Sequence, residues 1–313
     1  MTTALTPSSR GITDIPPGGI GRPARPSSRR GLVAWLFVLP LVVVNGGVVL
    51  VPGLFNIYYS FTSWDGLSSP KWIGLQNYVR LVTDPVVQGA FLRNVVWAAI
   101  FLTVPMSMGL FSAFLLQSVR KLGGIYRTIF FLPYIVATVV VASIWGLIYS
   151  PASGLPALLH NFGLPTINFL GNPQLALWSV ALANIWQWWG FLSIVFYAAM
   201  VGVDRSLYEA AELDGAGQWY KFWAVTFPSI RPTFMFMCLM SLIWSFLIFD
   251  YVYILTGGGP AGSTEVLGTL LYRTAFQARE AGYAAAIGIL MGVISLVVVL
   301  GYQAIGRRKR WEI

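Results

Sequence analysis

Residues 204–232 read DRSLYEAAELDGAGQWYKFWAVTFPSIRP, and they separate two apolar stretches each long enough to cross a lipid bilayer. Four of the chain's 11 acids, Asp204, Glu209, Glu212 and Asp214, fall in this one segment. The spacing predicts a short helix with marked ends. Ser206 and Glu209 stand three residues apart, as in a capping box where each side chain satisfies the other residue's backbone amide. Glu209, Ala210 and Ala211 favour helix, and Gly215 after Asp214 fits a left-handed stop. The small alanines leave room for another surface to approach closely. Trp219, Tyr220, Phe222 and Trp223 then form an aromatic patch suited to a membrane face, and Pro228 and Pro232 bracket the entry to the next apolar stretch. A merely amphipathic connector is the competing reading, but a passive connection needs far fewer residues.

The rest of the chain explains what this segment interrupts. The 313 residues are 57% hydrophobic and 10% charged, with a mean hydropathy of +0.70, whereas a globular domain carries about 25% charge. That composition excludes soluble enzymes, disordered scaffolds and free nucleic-acid binders. The expected fold is an all-α polytopic membrane protein with six transmembrane helices, near residues 32–59, 94–118, 128–149, 175–203, 233–256 and 283–305. The first stretch is too long for a signal peptide and no small-residue cleavage site closes it, so it is expected to be retained. Pro40, Pro52, Pro105 and Pro133 each remove a backbone donor inside a span and predict kinks that fit a bundle together. Residues 1–31 are too poor in apolar side chains to fold and are expected to be a flexible tail. Residues 306–313 are expected to be a short basic end. No internal repeat is visible.

Charge orients the spans. Net charge is +9, which in a soluble domain would suggest nucleic acid, but here the basic residues flank apolar segments. The tail, the 119–127 loop, the 204–231 loop and the C-terminus hold 15 Lys and Arg. The alternate segments hold only Lys71, Arg80, Arg93, Arg273 and Arg279. The asymmetry places both termini in the cytoplasm. Trp64, Trp72, Tyr149 and Tyr272 are then expected near the outer interface, where amphipathic rings are favoured. One cysteine, Cys238, and one histidine, His160, give no disulfide framework and no metal-ligand spacing.

The segment EAAELDG at 209–215, followed nine residues later by Val225, Thr226, Phe227 and Pro228, resembles the EAA loop of bacterial ABC importer permeases. Glu209, Ala210, Ala211, Gly215 and Pro228 match that family's pattern. Val225 and Phe227 depart from it conservatively. The resemblance runs from about residue 32 to 305. RTIFFLPYIVATVVVASIW, NIWQWWGF and FDYVYILTGGGPAGST are similar to the carbohydrate subfamily of maltose and glycerol-phosphate type. Gly190 stands where such permeases often have proline, so a bend there is expected to differ. The resemblance implies a type I importer permease fold over residues 32–305, with 204–228 as a cytoplasmic coupling loop. It also implies a second permease in a heterodimer, a pair of nucleotide-binding ATPase subunits and an external solute-binding protein, all at the bacterial inner membrane. Glu209, Ala210, Ala211, Asp214 and Gly215 are then the coupling residues, a rigid capped helix being able to transmit motion that a loose loop would dissipate. No cofactor is expected on this chain. It lacks a Walker sequence, so ATP and Mg would be used by the partner ATPase.

Residues that meet a solute are harder to single out. Asp250 lies inside the fifth apolar run, where a charge facing lipid costs roughly 2.5–3.5 kcal/mol. It is expected to face the bundle, either on a pathway or as the partner of Tyr253 or Asn184. Trp186, Trp188 and Trp189 accompany Asn184 and Gln187, and a flat ring beside amides suits a sugar, with its C–H face and its hydroxyls. At most one or two of three neighbouring tryptophans can face a path, so Trp186 and Gln187 stand as candidates while lipid-facing packing competes. Residues 257–264, GGGPAGST, lack the lysine of a phosphate loop. Gly257, Gly258, Gly259 and Pro260 read as a tight turn, and the resemblance puts them on the surface facing the binding protein. An ion-coupled secondary transporter would also explain six spans and Asp250, but leaves the acidic helix without a task. A membrane enzyme would want paired carboxylates or a histidine cluster, and neither occurs.

Overall fold

A computed structural model describes residues 28–119 and 121–308. The expected flexible tail therefore lies outside the described residues up to position 27, and the last five residues of the basic end lie outside them too. Ser28–Asn45 (α1) is already helical where the tail was expected to continue for four more residues; a π-helical turn, Gly46–Leu50, joins it to Val51–Ser60 (α2). Two-residue strands Thr62–Ser63 (β1) and Lys71–Trp72 (β2) pair antiparallel, and are the only strands among the described residues. Then follow Gln76–Thr83 (α3), Pro85–Ser118 (α4), Gly123–Ile135 (α5), Thr138–Ile148 (α6), Leu155–Asn161 (α7) and Pro173–Val201 (α8). The chain ends with Arg205–Leu213 (α9), Gln218–Lys221 (α10), Phe227–Leu247 (α11), Asp250–Leu255 (α12), Leu267–Tyr272 (α13) and Ala281–Arg308 (α14), with π turns at Phe222–Thr226 and Arg273–Gln277. The fold divides after Gly53 into two units, and α3 to α14 all belong to the larger one, which begins at Leu54.

Among the described residues, five helical stretches are long and apolar enough to cross a membrane: Trp35–Ser60, Pro85–Ser118, Pro173–Val201, Gln218–Leu247 and Ala281–Ala304. The third expected span is not one rod. It is α5 and α6, bent by 92° at a short break, where Pro133 near the end of α5 withholds an amide. The fifth span also differs: its helix begins at Gln218, well before either Pro228 or Pro232, and stops at Leu247. The π turn at Phe222–Thr226 lies just ahead of Pro228, and such a bulge lets a helix absorb a residue that cannot donate.

The helix α8 is the centre of the bundle, packed on α4 and α5. Two glycines permit that closeness. A Cβ on Gly109 of α4 would lie 2.7 Å from the Leu192 Cβ. A Cβ on Gly190 would overlap the carbonyl oxygen of Phe130 on α5, so this position lets two backbones touch. Trp97, Phe196 and Leu192 are fully buried between these helices. A second apolar cluster joins α3, α13 and α14 around Leu81, Leu267 and Ile287. Asn94 stitches the two together: its amide donates to the Ser245 carbonyl at 2.7 Å and accepts from the Leu267 amide at 2.9 Å. Of the rings expected at an interface, Trp64 stacks on Tyr59 and Trp72 on Phe61. Tyr149 is buried within the protein, its hydroxyl donating to the Ser179 carbonyl.

Candidate functional site

The acidic segment folds as α9, but with a different cap from the expected capping box. Asp204, not Ser206, is the N-cap; its carboxylate accepts from the Ser206 amide at 2.9 Å. That amide and the Ser206 hydroxyl hold the Asp204 carboxyl below the ordinary carboxylate range. Ser206 is already inside the helix, so Glu209 has no N-cap amide to reach and pairs with Arg205 at 3.1 Å instead. The other end takes the left-handed stop expected at Gly215, with φ +75°. The Ala216 amide donates to the Ala211 carbonyl at 2.9 Å and the Gly215 amide to the Glu212 carbonyl at 3.0 Å, the pair of bonds that closes a Schellman end.

One face of α9 looks outward and the other is tied down. Glu209 and Ala210 are exposed, and Leu213 is 90% exposed. Tyr208 and Ala211 are half-buried on the opposite side. The Tyr208 hydroxyl shares a hydrogen bond with the Thr226 hydroxyl at 2.9 Å. The Lys221 ammonium donates to Glu212 at 2.8 Å from a side chain that is only 8% exposed. That donor and its charge hold the Glu212 carboxyl below its ordinary value. Both tethers land on the helical stretch from Gln218 that runs into α11, so α9 is bolted to a membrane helix. The aromatic patch splits: Trp219, Tyr220 and Trp223 are exposed, while Phe222 is buried against Phe114.

A cavity of about 550 Å³ lies where the two broken spans meet α8. Val136 and Ala137, at the break between α5 and α6, and Ile248 and Phe249, at the break before α12, all line it. Backbone that leaves the helix at membrane depth is tolerated where protein buries it or a hydrated cavity bathes it. Gln187 of α8 serves the first break, donating to the Val136 carbonyl at 2.7 Å and the Pro133 carbonyl at 3.3 Å. Its own oxygen accepts from the Tyr251 hydroxyl of α12 at 2.6 Å. One amide therefore links both broken spans.

Among the residues singled out in the sequence, Asn184, Gln187 and Asp250 line this cavity. Trp186 and Tyr253 do not. Trp186 is 44% exposed and packs edge-on to Trp145; Tyr253 stacks on Phe249 and meets Tyr272. Asp250 is not within the fifth span at all, because the helix breaks first and Asp250 opens α12 as an exposed residue. Neither Tyr253 nor Asn184 bonds it, and the neighbouring Tyr251 hydroxyl donates to Gln187. Trp97, Tyr134, Trp188, Trp244 and Tyr251 also line the cavity; Tyr134, Trp188 and Tyr251 lay in stretches that the sequence marked, Trp97 and Trp244 did not. Gly257 and Gly258 take φ of +59° and +92° in the expected turn. The Glu265 carboxylate occupies the space a Gly258 side chain would need, and Glu265 is itself paired with Arg273 at 2.7 Å.

Comparison with known proteins places this architecture. Residues 105–311 match the family described as binding-protein-dependent transport system inner membrane component. A probable ABC transporter permease of Bacillus subtilis is 36% identical over 275 residues, 86% of this chain and 94% of the relative. A trehalose/maltose transport system permease of Thermococcus litoralis is 28% identical, covering 90% and 96% of the two chains. The crystal structure of a bacterial ABC transporter involved in importing the acidic polysaccharide alginate superposes with a TM-score of 0.80 at 26% identity, over 90% of this chain and 96% of that one. The bundle of membrane-crossing helices, the EAA helix bolted to one of them and the family match through both identify the chain as a multi-pass inner-membrane component of a binding-protein-dependent transport system, a transport subunit and not an enzyme.

Proposed function

We propose that this chain is one of two unlike permease subunits of an ATP-driven importer that passes a carbohydrate from an external binding protein to the cytoplasm. The observation that carries the proposal is α9, a capped helix with an outward face and two tethers into a membrane helix. A helix fixed in this way moves as a body with α11 when a partner pushes it, which is what coupling to an ATPase requires. The exposed face with Glu209, Ala210 and Leu213 is the docking surface; Asp214 and Gly215 end it. Tyr208, Glu212, Lys221 and Thr226 are the transmission. ATP and Mg belong to two nucleotide-binding subunits, and this chain supplies neither nucleotide contacts nor a cofactor. In this reading the basic asymmetry favours α9 and both termini on the cytoplasmic side, and the family resemblance turns Gly257–Pro260 toward the binding protein. The trehalose/maltose and alginate systems, with an aromatic cavity furnished with amides, support a saccharide as cargo.

The transmission makes its own prediction. Lys221→Met removes one tether while leaving the docking face untouched, so the complex should still hydrolyse ATP, but solute moved per ATP should fall roughly fivefold. Uptake and phosphate release measured together in proteoliposomes check this. An unchanged ratio would remove Lys221 from the transmission. The Glu212 carboxyl is depressed, so its pairing is present above the ordinary carboxylate range and is lost only as pH falls through the lowered value. The ratio is therefore expected to be flat between about pH 6 and 8. The proposal itself is tested by purifying the tagged chain from cells that carry its transport system, where a Walker-containing ATPase and a second permease should copurify in stoichiometric amounts. Active sugar uptake by this chain alone, driven by an ion gradient, would refute it.

A further inference from the structure

We infer that the cavity at the two helix breaks admits neutral saccharides and excludes anionic ones, uronic-acid and phosphorylated sugars alike, and that Asp250 imposes the exclusion; this rests on the carbohydrate reading of the cargo. Among the described residues, no lysine, arginine or histidine lines the cavity. Its one ionisable acid, Asp250, is exposed to it and is held by no hydrogen bond or ion pair. An anionic sugar would bring like charge toward an uncompensated carboxylate in a partly dehydrated space, which specific sites use to reject wrong ligands. Two helix starts, that of α6 at Thr138 and that of the six-residue α12 at Asp250 itself, also line the cavity; their partial positive charges temper the carboxylate but add no cationic side chain to hold an anion.

The hydrogen-bonding groups point the same way. Gln187 is already engaged with the break and with Tyr251. The Trp188 indole N–H has no partner, but it is itself buried and is not presented to a solute. The acceptor that the cavity presents with a full charge is the Asp250 carboxylate. A sugar hydroxyl can donate to the Asp250 carboxylate, whereas a carboxylate or phosphate group brought beside it only accepts and meets like charge. Trp244, which is exposed, and the half-buried Tyr134 supply ring surface for the C–H side of a pyranose. The cargo then differs in charge from the acidic polysaccharide of the alginate importer.

The test uses the assembled importer in lipid nanodiscs without its binding protein, and saturation-transfer NMR on two matched pairs: cellobiose with cellobiouronic acid, and maltose with a maltose phosphate. The neutral member of at least one pair should saturate, with its anionic counterpart about tenfold weaker. Asp250→Asn should bring the two within about threefold of one another. Equal saturation by charged and neutral members in the unaltered complex, or a ratio untouched by Asp250→Asn, overturns the inference. The comparison on the unaltered complex holds even where Asp250→Asn fails to assemble. Absence of saturation by all four sugars is a different result, and overturns the carbohydrate reading itself.

Discussion

Replacing Gly190 with valine is expected to leave little assembled complex in the membrane. The first added carbon falls on the Phe130 carbonyl of α5, and a backbone oxygen inside a helix cannot rotate away as a side chain would. The helices must separate, and the damage reaches Gln187 three residues earlier, which serves the nearby break. Overpacking of this kind costs roughly 3 kcal/mol. Gly217→Ala is the control, since nothing lies within 4 Å of that position. Size-exclusion yield and melting temperature of the purified complex check the pair. If Gly190→Val matches the parent while Gly217→Ala does too, α5 and α8 do not pack as described.

Glu209→Lys and Gly215→Trp are expected to stop transport while leaving insertion and folding intact. Glu209 makes only an exposed ion pair with Arg205, and such pairs contribute little to stability. Reversing its charge therefore acts on whatever docks against α9. Gly215 has open space around it but a φ of +75°, a conformation that costs a residue with a Cβ about 1–2 kcal/mol. Tryptophan there loosens the Schellman end and adds bulk beside the docking face. Uptake in proteoliposomes is expected to fall by at least about tenfold in each, the size of effect that loss of a coupling interaction gives. Solute-stimulated ATP turnover and uptake near the parent level in both variants would dismiss α9 as the coupling element.

The membrane class, the approximate spans and the helix ending at Gly215 were all legible in the sequence, because hydropathy over about 20 residues and a glycine stop are local signals. Of the two helix breaks, the first was legible as a kink at Pro133 but not as a bend of 92°, and the second was not legible. The first also depends on Gln187 arriving from α8 to take its carbonyls. A window along one segment does not see that partner. The same limit displaced Asp250 from the fifth span to the start of α12. The tryptophans show a rotational limit: positions 186 and 188 are two residues apart, about 200° around a helix, so they face opposite ways. Sequence identifies the cluster but not which ring faces inward. At α9 two N-cap candidates stood two residues apart, and the choice between Asp204 and Ser206 was one of backbone conformation at Asp204, extended at ψ 127°. Lys221 gave no signal because its burial is created by the folding of α9 back onto α10.

The most direct measurement of coupling through α9 is a photo-crosslink from Leu213, which is 90% exposed on the outward side of the helix and takes no part in either tether. A photoreactive phenylalanine at that position, irradiated in the assembled importer, is predicted to yield a single covalent adduct with the Walker-containing ATPase subunit. The adduct should change in yield between nucleotide-free and ATP-trapped states. Adducts formed only with lipid or with the external binding protein, in a complex that still transports, would contradict a coupling role for α9.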